Sequence, residues 1–192
     1  MIDKIKQHLH ESSNVKRKLA ENFTGDIKKI VNKFVSVLQS GKKILICGNG
    51  GSAADAQHIA TEFVVRLRAE FPREALPVIS LSTNTSCLTA CANDFSYDRI
   101  FSRQIEALGK PGDLVLGIST SGNSPNILEA FRIAKELNMN TILLGGKGGG
   151  KAKNIADLSI IVPSNSTMRI QESHITIAHI ITELTENVLF NQ

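Results

Sequence analysis

Hydrophobic and polar positions divide the chain into two regimes. Before residue 40, apolar residues recur mostly at helical spacing: Ile2, Ile5, Leu9, Val15 and Leu19, then Ile27, Ile30, Val31, Phe34, Val35 and Leu38. This spacing predicts two amphipathic helices, one over 2–22 and one that follows an interruption at Gly25 and Asp26 and stops at Gly41. From Lys43 the pattern becomes short apolar runs at 43–47, 77–81, 114–118, 141–144 and 158–162, separated by helical patterns near 53–70, 85–92, 97–108, 125–138 and 149–156. Strands that are apolar throughout and joined by helices belong to a parallel sheet covered on both faces. The expectation is a three-layer α/β/α sandwich around a five-stranded parallel sheet, closed by an amphipathic helix from Thr167 to Leu189. Ligands in such a fold sit at the carboxyl ends of the strands.

The N-terminal pair of helices, residues 1–40, has no obvious place on one sheet together with the helices of the 43–192 core, so packing against another subunit is expected. No repeat, low-complexity segment or linker is visible, and 192 residues with 42% hydrophobic composition suit one domain with a substantial core.

Composition narrows the classes further. No apolar run is long enough to span a bilayer and residues 1–10 are too polar for a signal peptide, so a cytoplasmic protein with no membrane partner is expected. The net charge of +4 permits an anionic ligand, but one Tyr, no Trp and no basic–aromatic interleaving argue against nucleic acid. Cys47, Cys87 and Cys91 have no metal-ligand spacing and read as small thiols rather than a disulfide framework.

The segment DLVLGISTSGNSPNIL, 113–128, reads as a buried strand, a hydroxyl-rich turn (Ser119, Thr120, Ser121, Gly122, Asn123, Ser124) and a helix with Pro125 at its first position. There, free backbone N–H groups and the positive end of the helix dipole converge, and hydroxyls add donors that rotate to meet phosphate oxygens. The turn has neither a Walker A lysine nor dinucleotide spacing, so it is expected to seat one phosphate monoester, such as a sugar phosphate. An ordinary capped strand-to-helix turn has the same composition. A second turn of this type, Asn49, Gly50, Gly51 and Ser52, follows the first strand, and the two would open on one sheet edge as a cleft.

The next helix carries Asp55, His58, Glu62 and Arg66, with His58 and Glu62 four residues apart on one face. That pair suits a divalent metal such as zinc, and the carboxylate alone suits a general base; a solvated surface pair reads the same way. In the last helix His179 lies among isoleucines, either as a satisfied core histidine or as an inward-facing functional one. Glu62 and His179 at one cleft would form an acid–base pair for moving protons between adjacent sugar carbons.

Three segments carry a resemblance: GNGGSAADAQHIATEF (48–63), CANDFSYDRIFSRQIEALGKPGDLVLGISTSGNSPNI (91–127) and RIQESHITIAH (169–179). They resemble the phosphoheptose isomerases of the sugar isomerase domain superfamily. The resemblance implies a homotetrameric enzyme with active sites between subunits, converting the phosphorylated heptose sedoheptulose 7-phosphate to D-glycero-D-manno-heptose 7-phosphate, early in nucleotide-activated heptose synthesis for lipopolysaccharide or capsule. It implies Ser119, Thr120, Ser121 and Ser124 as phosphate ligands, with Asn49, Gly50, Gly51, Ser52, Asn93, Asp94 and Gln171 lining the substrate site. Glu62 would be the base, His179 its acid–base partner, and a zinc ion would be held by His58, Glu62, Gln171 and His179. Gln171 and His179 differ in height by about 12 Å on one helix, so Gln171 either sits on a non-helical start or reaches the ion from another subunit. Val64 and Val65 before Arg66, the length of 67–76 and Ser82-Thr83-Asn84 depart from the family's usual pattern. Related single-domain proteins bind sugar phosphates or protein partners without catalysis; a pair such as Glu62 and His179 discriminates the enzyme from these.

Overall fold

A computed structural model describes residues 1–190; Asn191 and Gln192, the end of the domain as bounded from the sequence, lie outside the described residues. All five expected strands form: β1 (Ile44–Gly48), β2 (Val78–Ser80), β3 (Leu114–Ser119), β4 (Asn140–Gly145) and β5 (Leu158–Ile161). They make one parallel sheet in the order β2-β1-β3-β4-β5. Chain order reverses between β1 and β3, which places their C-terminal ends side by side at the point where open α/β sheets bind ligands.

Alternation along the strands feeds two cores. Ile44, Ile46, Leu114, Leu116, Ile118, Ile142 and Leu144 face α2 (Thr24–Gln39), α3 (Gly51–Val64) and α7 (Thr167–Leu189). Leu45, Cys47, Val115 and Leu143 face α5 (Ser102–Leu108) and α6 (Pro125–Glu136), with Cys91 from α4 (Thr85–Asp94). Apolar residues of the central strands β1, β3 and β4 are therefore buried on both faces, whereas Ile79 of the edge strand β2 is exposed.

The N-terminal helices divide differently from expectation. α2 packs on the sheet through Ile30 and Phe34, so only one helix lacks a full seat. α1 (Ile2–Asn22) buries Val15 and Leu19 but leaves Ile2, Ile5 and Leu9 exposed, the part of the expected subunit-packing surface that remains open. The break between the helices falls at Phe23, not at Gly25, because Asp26 belongs in the first turn, where it complements the helix dipole.

Three predicted helices are shorter or broken. The 53–70 pattern ends at Val64, since Pro72 and Pro77 favour extended chain before them. The 97–108 pattern splits into a short turn at Tyr97–Arg99 and α5, and the adjacent Ile100 and Phe101 are both buried at the break. The 149–156 pattern yields only short turns, because Lys147, Gly148, Gly149 and Gly150 all adopt positive φ.

Candidate functional site

The turns after β1 and β3 are joined side chain to side chain. Asn49 Nδ2 donates to Asn126 Oδ1 at 2.9 Å, and Asn126 Nδ2 donates back to Asn49 Oδ1 at 2.9 Å. Tyr97 Oη donates to the same Asn49 oxygen at 3.1 Å, and Ser82 Oγ donates to the carbonyl of Gly48 at 3.3 Å. The two loops thus form one edge of a single site.

The hydroxyl-rich turn is held from inside and from behind. The Gly122 N–H donates to Ser119 Oγ at 3.1 Å, Ser119 and Ser124 hydroxyls lie 3.3 Å apart, and the Asn123 N–H donates to Ser121 Oγ at 3.2 Å. Ser119 is buried, whereas Thr120 and Ser121 are half-buried. The loop after β4 backs the turn: the Ala152 N–H donates to the Gly122 carbonyl at 2.9 Å, and the Lys151 N–H donates to Asn123 Oδ1 at 3.0 Å. A Cβ on Gly122, at φ +64°, would come within 1.8 Å of the Gly149 carbonyl oxygen, so only glycine fits. Sequence reasoning missed this glycine-rich partner loop and Asn126; the run GGKGGG at 145–150, directly after a strand, was its signal.

His58, Glu62 and His179 meet where α3 packs against α7. Glu62 Oε1 lies 3.0 Å from His58 Nε2 and 3.2 Å from His179 Nε2, and the two nitrogens are 3.1 Å apart. Burial raises the Glu62 carboxyl above the usual range, against the pull of both imidazoles, and its Oε2 is buried with no hydrogen bond. Burial also raises Asp55, which feels the same two histidines and whose Oδ2 lacks a partner. Such a carboxylate takes up a proton more readily than a solvated one, as a base must.

These atoms also fit a metal. Ligand atoms around a tetrahedral zinc with N and O donors stand about 3.3 Å apart, close to the spacings here, and two neutral imidazoles with one carboxylate suit zinc chemistry. The orphaned Glu62 oxygen fits the same reading.

Gln171 stands apart from that cluster. α7 begins at Thr167, so Gln171 is helical, and its amide packs on Gly51, where a Cβ would lie 2.5 Å from its Nε2. Gly51 precedes His58 by seven residues on α3, about 10 Å of helix. Asn93 and Asp94 end α4, exposed and hydrogen-bonded to each other at 2.8 Å; Ser52 is buried in the first turn of α3, and Gly50 caps it at φ +57°.

Fold and site define an α/β domain with a hydroxyl-rich strand-to-helix turn and a carboxylate–imidazole cluster. Residues 7–146 match the SIS domain model, and the chain belongs to that family, among its phosphoheptose isomerases. It is similar to the phosphoheptose isomerase of Clostridium acetobutylicum, 49% identical over 98% of this chain and 96% of that protein. Solved phosphoheptose isomerases from Neisseria gonorrhoeae and Francisella tularensis superpose with TM-scores of 0.90 and 0.93. Their identities are 38% and 35%; the first match covers 96% of this chain and 98% of the other, the second 97% and 98%. The expected fold and the expected enzyme class both hold. No helix among the described residues is long and apolar enough to cross a membrane.

Proposed function

We propose that this protein is an aldose–ketose isomerase acting on sedoheptulose 7-phosphate and giving D-glycero-D-manno-heptose 7-phosphate. The observation that carries the proposal is the meeting of Glu62 and His179 at 3.2 Å, from helices remote in sequence. A protein that only held a sugar phosphate would have no use for a buried, proton-avid carboxylate faced by two imidazoles. The names of the relatives support the heptose as substrate.

In this reading the turn Ser119–Ser124 and the N-terminus of α6 hold the phosphate, while Asn49, Gly50, Gly51, Ser52, Asn93, Asp94 and Gln171 line the sugar site. Glu62 takes the proton from C1 of the ketose and returns it to C2 through an enediol, and His179 moves the proton between the two oxygens. Atoms balance, since one proton changes carbon and one changes oxygen. His58, Glu62 and His179 would hold a zinc ion, which would polarise the substrate's oxygens. Water, substrate or the Gln171 amide of a second copy of the chain would complete the set of donors. Ligating a metal and taking a proton are exclusive uses of Glu62 Oε1 at any instant.

The single domain works as a cytoplasmic homotetramer, with the exposed Ile2, Ile5 and Leu9 of α1 packed on neighbouring subunits. Its product feeds nucleotide-activated heptose for lipopolysaccharide or capsule. Incubation with sedoheptulose 7-phosphate and with unphosphorylated sedoheptulose, with and without a chelator, tests the reading. Aldose formation from the phosphorylated sugar alone supports it; no aldose under any of these conditions refutes it.

A further inference from the structure

α3 ends at Val64, and its last carbonyls need donors that the helix itself cannot supply. The Leu76 N–H donates to the Phe63 carbonyl at 3.1 Å, and one side chain from the segment between α3 and β2 serves both that carbonyl and the one before it. Arg73 donates through Nη2 to the Glu62 carbonyl at 2.7 Å, and through Nη1 to the Phe63 carbonyl at 2.7 Å and the Glu74 carbonyl at 2.8 Å. Its Nε donates to Glu186 Oε1 at 2.6 Å, and Nη2 approaches the same oxygen at 2.5 Å. The guanidinium's N–H groups are thereby all engaged. Both side chains of the pair are only 1% exposed.

Glu186 follows His179 by seven residues on α7, two turns further along the same face. The ion pair therefore runs from the backbone of Glu62 to the helix that carries His179. We propose that Arg73 and Glu186 are positioning residues, whose buried pair fixes the end of α3 against α7 so that the Glu62 carboxylate keeps its place between His58 and His179. The inference rests on Glu62 acting as the base.

Stability alone is a poor reason for this arrangement. A buried ion pair is often matched or bettered by apolar residues of similar volume, because desolvation offsets the attraction. What apolar residues cannot do is grip two consecutive helix carbonyls and a carboxylate from a second helix at once. Lysine cannot either, since its donors radiate from one point rather than from a planar fork.

The test uses full-length Arg73→Lys and the double variant Arg73→Met with Glu186→Leu, each also in a Glu62→Gln background. Folding is followed by circular dichroism and activity with sedoheptulose 7-phosphate. The double variant is expected to fold, with kcat down by about tenfold or more and KM within about twofold, because the phosphate seat lies on a different turn. Arg73→Lys shows the same split, and it decides the matter should the double variant not fold. In the Glu62→Gln background neither change lowers the residual rate further. A folded variant with wild-type kcat, or with kcat and KM altered alike, overturns the positioning role. Substantial turnover by Glu62→Gln alone would instead overturn the base on which it rests.

Discussion

Asn49 and Asn126 face each other through two reciprocal amide hydrogen bonds of 2.9 Å, across the gap between the turns that follow β1 and β3. Asn126 is buried and spends its amide on this contact, and Tyr97 adds a third bond to Asn49. Replacement of Asn126 by alanine leaves the Asn49 Nδ2 without its partner while Tyr97 still serves the oxygen, a loss of about 1–3 kcal/mol. Asn126→Ala is therefore expected to lower the urea midpoint and to raise KM for the sugar phosphate, since the two loops lose their common register. An unchanged midpoint and KM would mean that the loops hold their places independently.

Gly122 offers a sharper test of the phosphate seat. Its positive φ and its approach to the Gly149 carbonyl leave no room for a side chain, so Gly122→Ala must displace the turn. The expected result is a rise in KM of about tenfold or more, equivalent to about 1.4 kcal/mol, together with weaker inhibition by inorganic phosphate. Inhibition as strong as in the wild type would place the phosphate elsewhere.

His174 sets one pH dependence of stability. It is fully buried, its Nε2 donates to the Gly145 carbonyl at 3.0 Å, and burial lowers its pKa from the usual 6.5 to about 4. Between those values the unfolded chain binds the proton and the folded one does not, so stability falls as pH drops from about 6.5 to about 4, by up to about 3 kcal/mol. Burial pushes the Asp113 and Asp157 carboxyls up, but hydrogen bonds and charge from Lys43 and Lys110, and from Lys135 and Thr141, together hold them below the usual value, so they lose their contribution only at still lower pH. Urea unfolding across this range should show the loss in the wild type and a flatter profile in His174→Gln. Equal slopes would assign the dependence to other groups.

Metal binding separates the cluster from its surroundings. Titration calorimetry with zinc chloride should show binding that His58→Ala weakens by more than about 100-fold, the upper range for losing merely an outer partner. Equal affinity in the variant would move any metal site away from His58.

The sheet was legible because its strands are apolar on successive residues and its turns carry glycine and hydroxyls, both local signals. α7 was legible because apolar residues recur along it from Ile170 to Leu189, even though polar residues such as Arg169, His174 and His179 interrupt them. What escaped depends on contacts between segments distant in sequence. A helical pattern was expected near 149–156, yet Gly148, Gly149 and Gly150 adopt positive φ, and Gly149 and Gly150 fit closely against Gly122. Arg73 carried no signal of its own in the sequence, because its burial depends on Glu186 from the far end of the chain. The pairing of His58 with Glu62 followed from helical spacing, whereas their meeting with His179 required α3 and α7 to pack together.

The most direct measurement follows sedoheptulose 7-phosphate in deuterium oxide with wild-type protein and with Glu62→Gln. The wild type is expected to form aldose carrying deuterium at C2 in the fraction of turnovers in which the proton held on Glu62 exchanges with solvent before its return. Glu62→Gln should still be protected by the ligand against thermal unfolding, while turnover falls by about 10²–10⁴-fold, the range for removing a general base. Aldose formation by Glu62→Gln at the wild-type rate would contradict the assignment of the proton transfer to this carboxylate.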